Sequence, residues 1–361
     1  MIFDTFQFKN LKLSNRLVRS AIHAADATDD GLATVESANI LLAVADNGPG
    51  LIMTGHAFVS KDGKGNRKQL GVYSDVCIHG LTDVAKNIHQ KTTSKIFLQL
   101  AHAGAQTSEG ITGVTPIGPS EIKENSITLC RSMNEDDINR IILAFTQAAR
   151  RAWEAGFDGI QIHAAHGYLL SEFLSPHFNQ RGDQFGGSNL NRSRFLCLIV
   201  EQIRNFVSKN YPIIVKINSE DFWNDGLQVK DMIEIVGYLI KAGIDGIELS
   251  GGTKDSDPAI ERKHDPQSVE EQFYYRDAAR LLRSKYSIPL IAMGGIRELS
   301  VAESIIQNNE ADWVSMGRPF VCEPHLVKRW QEGDTSRAKC TSCNACFRPL
   351  VVGKLLKCLK K

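Results

Sequence analysis

Nothing in this chain announces a membrane or a secretory route. No stretch is long enough and apolar enough to cross a bilayer, which takes about 20 residues, and Met1 to Asn15 contain no apolar run of signal-peptide length. Neither sign of charge is in excess. There are 42 Lys and Arg against 41 Asp and Glu, so no electrostatic footprint for nucleic acid or an anionic surface exists. Low-complexity tracts and a solenoid period are also missing. These absences lead to the expectation of a soluble, cytoplasmic protein with no nucleic-acid partner and no membrane partner. No Gly-x-Gly-x-x-Gly follows the first apolar run either, which argues against a doubly wound dinucleotide-binding sheet.

What is present is a recurring alternation. Short apolar runs at Leu17–Ile22, Gly50–Val59, Lys95–His102, Gly159–His163, Pro212–Ile217, Gly246–Ser250, Pro289–Met293 and Asp312–Met316 read as buried strands. Between them, Val35–Ala45, Asp136–Ala155, Arg192–Val207, Val229–Ala242, Val269–Lys285 and Ser300–Asn308 carry a helical period. One phrase appears twice, Ala155-Gly156-Phe157-Asp158-Gly159-Ile160 and Ala242-Gly243-Ile244-Asp245-Gly246-Ile247. Each reads as a helix end, a glycine C-cap and a turn into a strand. Eight such units fit an α/β fold of the (β/α)8 TIM-barrel kind, with residues 1–330 as barrel and 331–361 as a cysteine-rich tail. The excess over the usual barrel length of about 250 residues goes into connections after strands: His102–Met133, Tyr168–Asn189 and Gly251–Gln267. Loops of that length are uncommon unless they serve function, and all three would lie on the catalytic face.

Two further features locate chemistry on that face. Met293-Gly294-Gly295-Ile296 and Ser315-Met316-Gly317-Arg318-Pro319 follow the last two strands, where barrels bind phosphate. Glycines let backbone N–H groups approach an anion, and Arg318 adds a forked donor. That signal does not separate a phosphorylated substrate from a phosphorylated cofactor. The second feature is Gly159 to Phe195. Its strand ends in His163, His166 and Tyr168, followed by a polar, glycine-rich loop. A lone strand-end histidine is ordinarily structural and a lone tyrosine a packing group. His-x-x-His-x-Tyr after a buried strand is better explained by catalysis.

In their order and wording these motifs resemble the old yellow enzyme family of flavin oxidoreductases. The resemblance runs from Phe6 to about Phe320. It rests on Asn15-Arg16-Leu17-Val18, Gln99-Leu100-Ala101-His102-Ala103-Gly104, His163 to Leu170, Phe173-Leu174-Ser175-Pro176, Phe185-Gly186-Gly187-Ser188 and the late glycine pairs. It implies FMN across the barrel mouth, with Ser20, Ala21 and Ile22 beside the ring and Gln99 on the pyrimidine edge. Lys216 would place positive charge near N1, and Gly294, Gly295, Gly317 and Arg318 would hold the phosphate. It also implies ping-pong turnover. NADH or NADPH reduces the flavin, and an electrophilic alkene is then reduced, its carbonyl held by His163 and His166 and its α-carbon protonated by Tyr168. Two positions depart from the common pattern: Lys216 stands where Arg is frequent, and His23 where Cys or Thr is frequent. His23 is similar to the dienoyl-CoA reductase branch, and His56 reads equally well as a structural or a flavin-edge residue.

The last four of eight cysteines form Cys340-x2-Cys343-x2-Cys346-x11-Cys358, a spacing that suggests metal rather than disulfides. Longer members of the resembled family hold a [4Fe–4S] cluster at a similar place, with one more residue between the second and third cysteines. Iron–sulfur, structural zinc and no metal all stay open. A cluster here would call for an external redox partner. An electron-transfer module without alkene turnover is the contrasting reading, and a barrel lyase or isomerase is a third. A homo-oligomer is compatible with all three.

Overall fold

A computed structural model describes residues 1–260, 262 and 264–360. Its centre is a closed barrel of eight parallel strands: β1 (Leu17–Arg19), β2 (Leu51–Phe58), β3 (Lys95–Ala101), β4 (Gly159–Ala164), β5 (Ile213–Asn218), β6 (Gly246–Ser250), β7 (Leu290–Ala292) and β8 (Trp313–Met316). β8 closes against β1 through Val314, Ser315 and Met316. The order is the one expected, with most edges moved by one to three residues. Pro212 and Pro289 have no N–H to give a ladder, so β5 and β7 start one residue later. Ser20 to Ile22 run past the end of β1 and line the mouth instead. Helices α1 (Val35–Ala45), α2 (Ile78–Lys91), α3 (Glu135–Glu154), α4 (Asn189–Phe206), α5 (Val229–Ala242), α6 (Arg276–Lys285) and α7 (Leu299–Gln307) alternate with β1 to β8. On α3, Asn134 and Asp137 form a capping box at 2.9 and 3.1 Å, and Ile138, Ile141, Phe145 and Ala149 bury one face.

The repeated Gly–x–Asp phrase has a mechanical role. Gly156 and Gly243 take positive φ as they leave α3 and α5. The aspartate two residues on then holds the start of the preceding strand. Asp158 Oδ2 accepts from Ile96 N–H at 2.9 Å, and Asp245 Oδ2 accepts from Ile213 N–H at 2.9 Å. Asp312 repeats the device on Leu290 N–H at 2.8 Å. In each case the aspartate's own N–H donates to the carbonyl of the same residue. Strand starts that would leave an orphan donor at the barrel bottom are thereby satisfied.

Two short sheets lie outside the expected elements. Phe6–Phe8 and Leu11–Leu13 pair antiparallel, and Phe6 and Phe8 stand edge-on to Trp313 at 4.9 and 4.8 Å. The hairpin thus plugs the amino-terminal end of the barrel over Val18, Phe97, Ile214 and Ile291. The connection after β3 is not structureless. Ile122–Glu124 and Ile127–Ser132 form a hairpin whose turn residues, Asn125 and Ser126, both have positive φ. The connection after β4 likewise contains a helix, Leu169–Leu174. The tail, described over 331–360, folds back on the barrel mouth: Arg297 donates to the Cys340 carbonyl at 2.9 Å and to Ser342 Oγ at 2.6 Å. Among the described residues no helix is long and apolar enough to cross a membrane.

The aspartate device predicts a measurable loss. Asp245→Ala strands the Ile213 N–H and should cost about 1–3 kcal/mol, read as a lower urea midpoint. Asp245→Asn keeps an acceptor and should lose less.

Candidate active site

The barrel register brings side chains from successive strands to one level. Lys216 on β5 is opposite His163 on β4 and Glu248 on β6, and Gln99 on β3 is opposite Gln161 on β4. Because strand residues alternate faces, Gln161 and His163 share the interior side. The result is a polar floor of buried groups under the mouth. Gln99 Nε2 donates to Gln161 Oε1 at 2.7 Å, and Gln161 Nε2 donates to Glu248 Oε2 at 2.7 Å. Ser20 and Ser315 donate to Glu248 Oε1 at 2.8 and 2.7 Å. Lys216 Nζ lies 3.5 Å from Glu248 Oε2 and donates to Ser20 Oγ at 3.1 Å.

Above this floor stand the strand-end groups. His166 has a positive φ of 69°, rare for a residue with a side chain. It is held there by its N–H to Asn218 Oδ1 at 3.1 Å and by Gln106 Nε2 on its carbonyl at 2.7 Å. Its ring bonds Ser250 Oγ at 2.6 Å. The His163 ring is 5.0 Å from that of His166 and 4.9 Å from that of Tyr168. His163 Nδ1 is buried with no hydrogen-bond partner, the condition of a group awaiting a ligand. Burial drives His163 and His166 well below the usual 6.5, and the neighbouring histidine and Lys216 charges act in the same direction. Both are neutral imidazoles near pH 7, each with one N–H to donate.

His56 has a definite task. The backbone N–H of Gly65 donates to Gln69 Oε1 at 2.6 Å, so the amide must offer Nε2 to His56 Nδ1, 2.5 Å away. His56 therefore carries its proton on Nε2 and gives it to His23 Nδ1 at 2.9 Å. Burial, and then the proximity of His23, push His56 down to about 3. With both nitrogens engaged, His56 orients His23 on the cavity wall.

One cavity of about 200 Å³ is bordered by Ser20, Ala21, Ile22, His56, Gln99, His163, His166, Tyr168, Lys216, Gly294, Gly295, Gly317 and Arg318. Every residue named from the sequence for flavin or catalysis is thus on one wall or another of the same space. Gly294 and Gly295 have φ of 111° and 74°, and a Cβ on Gly295 would meet the Tyr274 ring at 2.5 Å. The pair leaves bare backbone facing the mouth where side chains could not fit. Arg318 donates to Asn344 Oδ1 at 2.6 Å and to the Arg262 carbonyl at 2.8 Å, so the tail reaches the arginine expected to hold a phosphate. The donor set fits FMN: an unsatisfied imidazole, an amide and an ammonium on the floor, and glycines with an arginine at the far end. Sequence reading missed Glu248, Gln161, Tyr274 and Phe347, all near this site. A signal existed for the first two, since a Glu and a Gln interrupt otherwise apolar buried strands.

The cysteines are placed differently. Cys340, Cys343, Cys346 and Cys358, with Cys322, line a separate cavity of about 30 Å³ that shares Arg318 with the first. Burial pushes the Cys346 thiol up to about 11. Among the described residues no three His, Cys, Asp or Glu side chains are arranged to hold a metal. The four cysteines border one small space, and neither iron–sulfur nor zinc is shown there.

Comparison with known proteins agrees with the fold. The model of a family described as the NADH:flavin oxidoreductase / NADH oxidase family matches residues 1–336. An NADH oxidase of Thermoanaerobacter brockii is 34% identical over 347 residues, covering 95% of this chain and 52% of that protein. An NADPH dehydrogenase of Clostridium acetobutylicum is 33% identical over 335 residues, covering 90% of this chain and 93% of that protein. The chain thus spans about half the length of the first relative and nearly all of the second. Among solved structures, a 2-naphthoyl-CoA reductase complex superposes with a TM-score of 0.87 at 24% identity, over 99% of this chain and 56% of that one. An old yellow enzyme homologue of Zymomonas mobilis gives 0.78 at 24% identity, over 95% and 96%. These two likenesses speak for the fold. With the family match and the curated relatives beside them, the chain belongs to the NADH:flavin oxidoreductase / NADH oxidase family.

Proposed function

We propose that the protein reduces the activated C=C bond of α,β-unsaturated carbonyl compounds. The observation that carries this reading is the buried, unpartnered His163 Nδ1 beside His166 and Tyr168 at the carboxyl ends of the strands. FMN, when bound, supplies the ping-pong hydride chemistry, taking hydride from NADH or NADPH and passing it to the alkene. Gly294, Gly295, Gly317 and Arg318 would hold its phosphate. Ser20, Ala21, Ile22, Gln99 and Lys216 would hold its ring, with His56 acting through His23.

The chain's own groups do the remaining work. Neutral His163 and His166 donate to the substrate carbonyl oxygen and stabilise the negative charge that develops there; fixed neutral donors in a site shielded from water need no reorganisation. Tyr168, whose ring centroid lies 4.9 Å from that of His163, delivers its phenolic proton to the α-carbon. Ser250 and Asn218 keep His166 in its strained backbone position, so the pair is preorganised before substrate arrives. The family membership argues against the lyase or isomerase reading. For the tail we propose a [4Fe–4S] cluster ahead of zinc, on the strength of four thiols facing one space.

Four outcomes test these readings. Tyr168→Phe should slow alkene reduction about 10²- to 10⁴-fold in stopped flow while flavin reduction by NAD(P)H stays near wild type; equal loss in both half-reactions would remove Tyr168 from the proton's path. Because His163 and His166 stay neutral, binding of a phenolic ligand should be flat from about pH 8 to 6 and should weaken when both are replaced by Ala. Their unfolded forms take up protons below 6.5 that the buried forms refuse, so stability should fall as pH drops through that value. Anaerobically purified protein should contain about four iron and four acid-labile sulfide per chain, lost in Cys343→Ser. Zinc, or neither element, would refute the cluster.

A further inference from the structure

Glu248 has no role in the chemistry above, yet more of the site's polar groups converge on it than on any other side chain of the floor. It is fully buried, and the side chain of Lys216 is 3% exposed. Four donors meet its two oxygens: Ser20 and Ser315 on Oε1, Gln161 and the Lys216 ammonium on Oε2. That donor pattern is the one an ionised carboxylate takes, since it can only accept. The consequence runs outward along the floor. Gln161 must turn its NH2 to Glu248, so its Oε1 faces Gln99 and consumes one Gln99 N–H. Gln99 is thereby left with its Oε1 uncommitted at the cavity wall, an acceptor suited to an imide N–H.

We propose that Glu248 is the positioning residue of the flavin's pyrimidine subsite and the counter-charge of Lys216. It sets which end of Gln99 faces the ring, and it offsets the ammonium beneath it so that the floor is near neutral rather than cationic. A cation under the pyrimidine ring favours the reduced, more negative flavin; a carboxylate 3.5 Å behind that cation weakens the preference. The balance between Lys216 and Glu248, rather than Lys216 alone, then sets the flavin potential. This inference rests on the FMN reading and is independent of the alkene.

The test is the two-electron midpoint potential of bound FMN, measured without substrate in purified holoenzyme. Glu248→Gln keeps the side-chain shape and the Ser20 and Ser315 bonds but removes the charge. It should favour reduced over oxidised flavin at least tenfold, equivalent to a rise of about 30 mV. Lys216→Met combined with Glu248→Gln removes both charges at once and keeps the protein testable if an unpaired Lys216 prevents folding of the single variant. Its potential should lie within about threefold of wild type, about 15 mV. The idea is overturned if Glu248→Gln leaves the potential unchanged or lowers it. It is overturned equally if the double variant drops tenfold or more below wild type, as a dominant Lys216 would require. Wild-type protein that retains no FMN after reconstitution would instead defeat the flavin reading itself.

Discussion

A carboxylate in the middle of a barrel is costly unless every lone pair is used, and Glu248 shows how this chain meets that condition. Two serines, an amide and an ammonium reach it from four different strands or strand ends. None of them is near it in sequence; Ser20 is 228 positions away and Ser315 is 67. Hydrogen bonds to a buried charge contribute about 1.5–3 kcal/mol each, and losing one partner leaves the rest uncompensated. The floor is therefore an all-or-none assembly. It exists only when β1, β4, β5, β6 and β8 are in register, and the cavity above inherits its orientation.

That dependence explains the effort spent below the floor. The aspartates at 158, 245 and 312 pin the starts of β3, β5 and β7. The amino-terminal hairpin seals the bottom with Phe6 and Phe8 against Trp313. A strand slipped by one residue would send Lys216 and Glu248 to the helix side and bring apolar neighbours into the mouth. Stability elements and chemistry are thus separated along each strand but coupled through register.

The tail adds a second coupling. Its backbone is held by Arg297, its Asn344 takes Arg318, its Phe347 borders the main cavity, and Cys346 and Leu356 pack with Ile22. Arg318 is shared between the large cavity and the thiol-lined one. The tail is in this sense a wall of the active site as much as an appendage to it.

Much of this was legible in order along the chain. The eight strands, the α3 and α5 ends, the glycine pairs and the His163, His166 and Tyr168 set follow from local period and from motif spacing, which are properties of neighbouring residues. The hairpin at Phe6–Leu13 was overlooked because three-residue strands carry too little period, though Phe-Gln-Phe and Leu-Lys-Leu alternate. The turn at Asn125-Ser126 hid a folded connection in a polar stretch. Glu248 and Gln161 were visible as polar residues in apolar strands, but nothing local could say what they face. His56 reads from sequence equally as structural or flavin-edge, and only the folded chain brings Gln69 and His23 to its two nitrogens. The four cysteines showed their number and spacing, whereas their distribution around a separate cavity depended on how the tail lies over Arg297 and Arg318. The sequence by itself determined the element types, the barrel and which candidate groups stand at its strand ends. Tertiary structure alone decided the charge balance of the floor and the reach of the tail, because both depend on side chains far apart in sequence that meet only when the barrel closes.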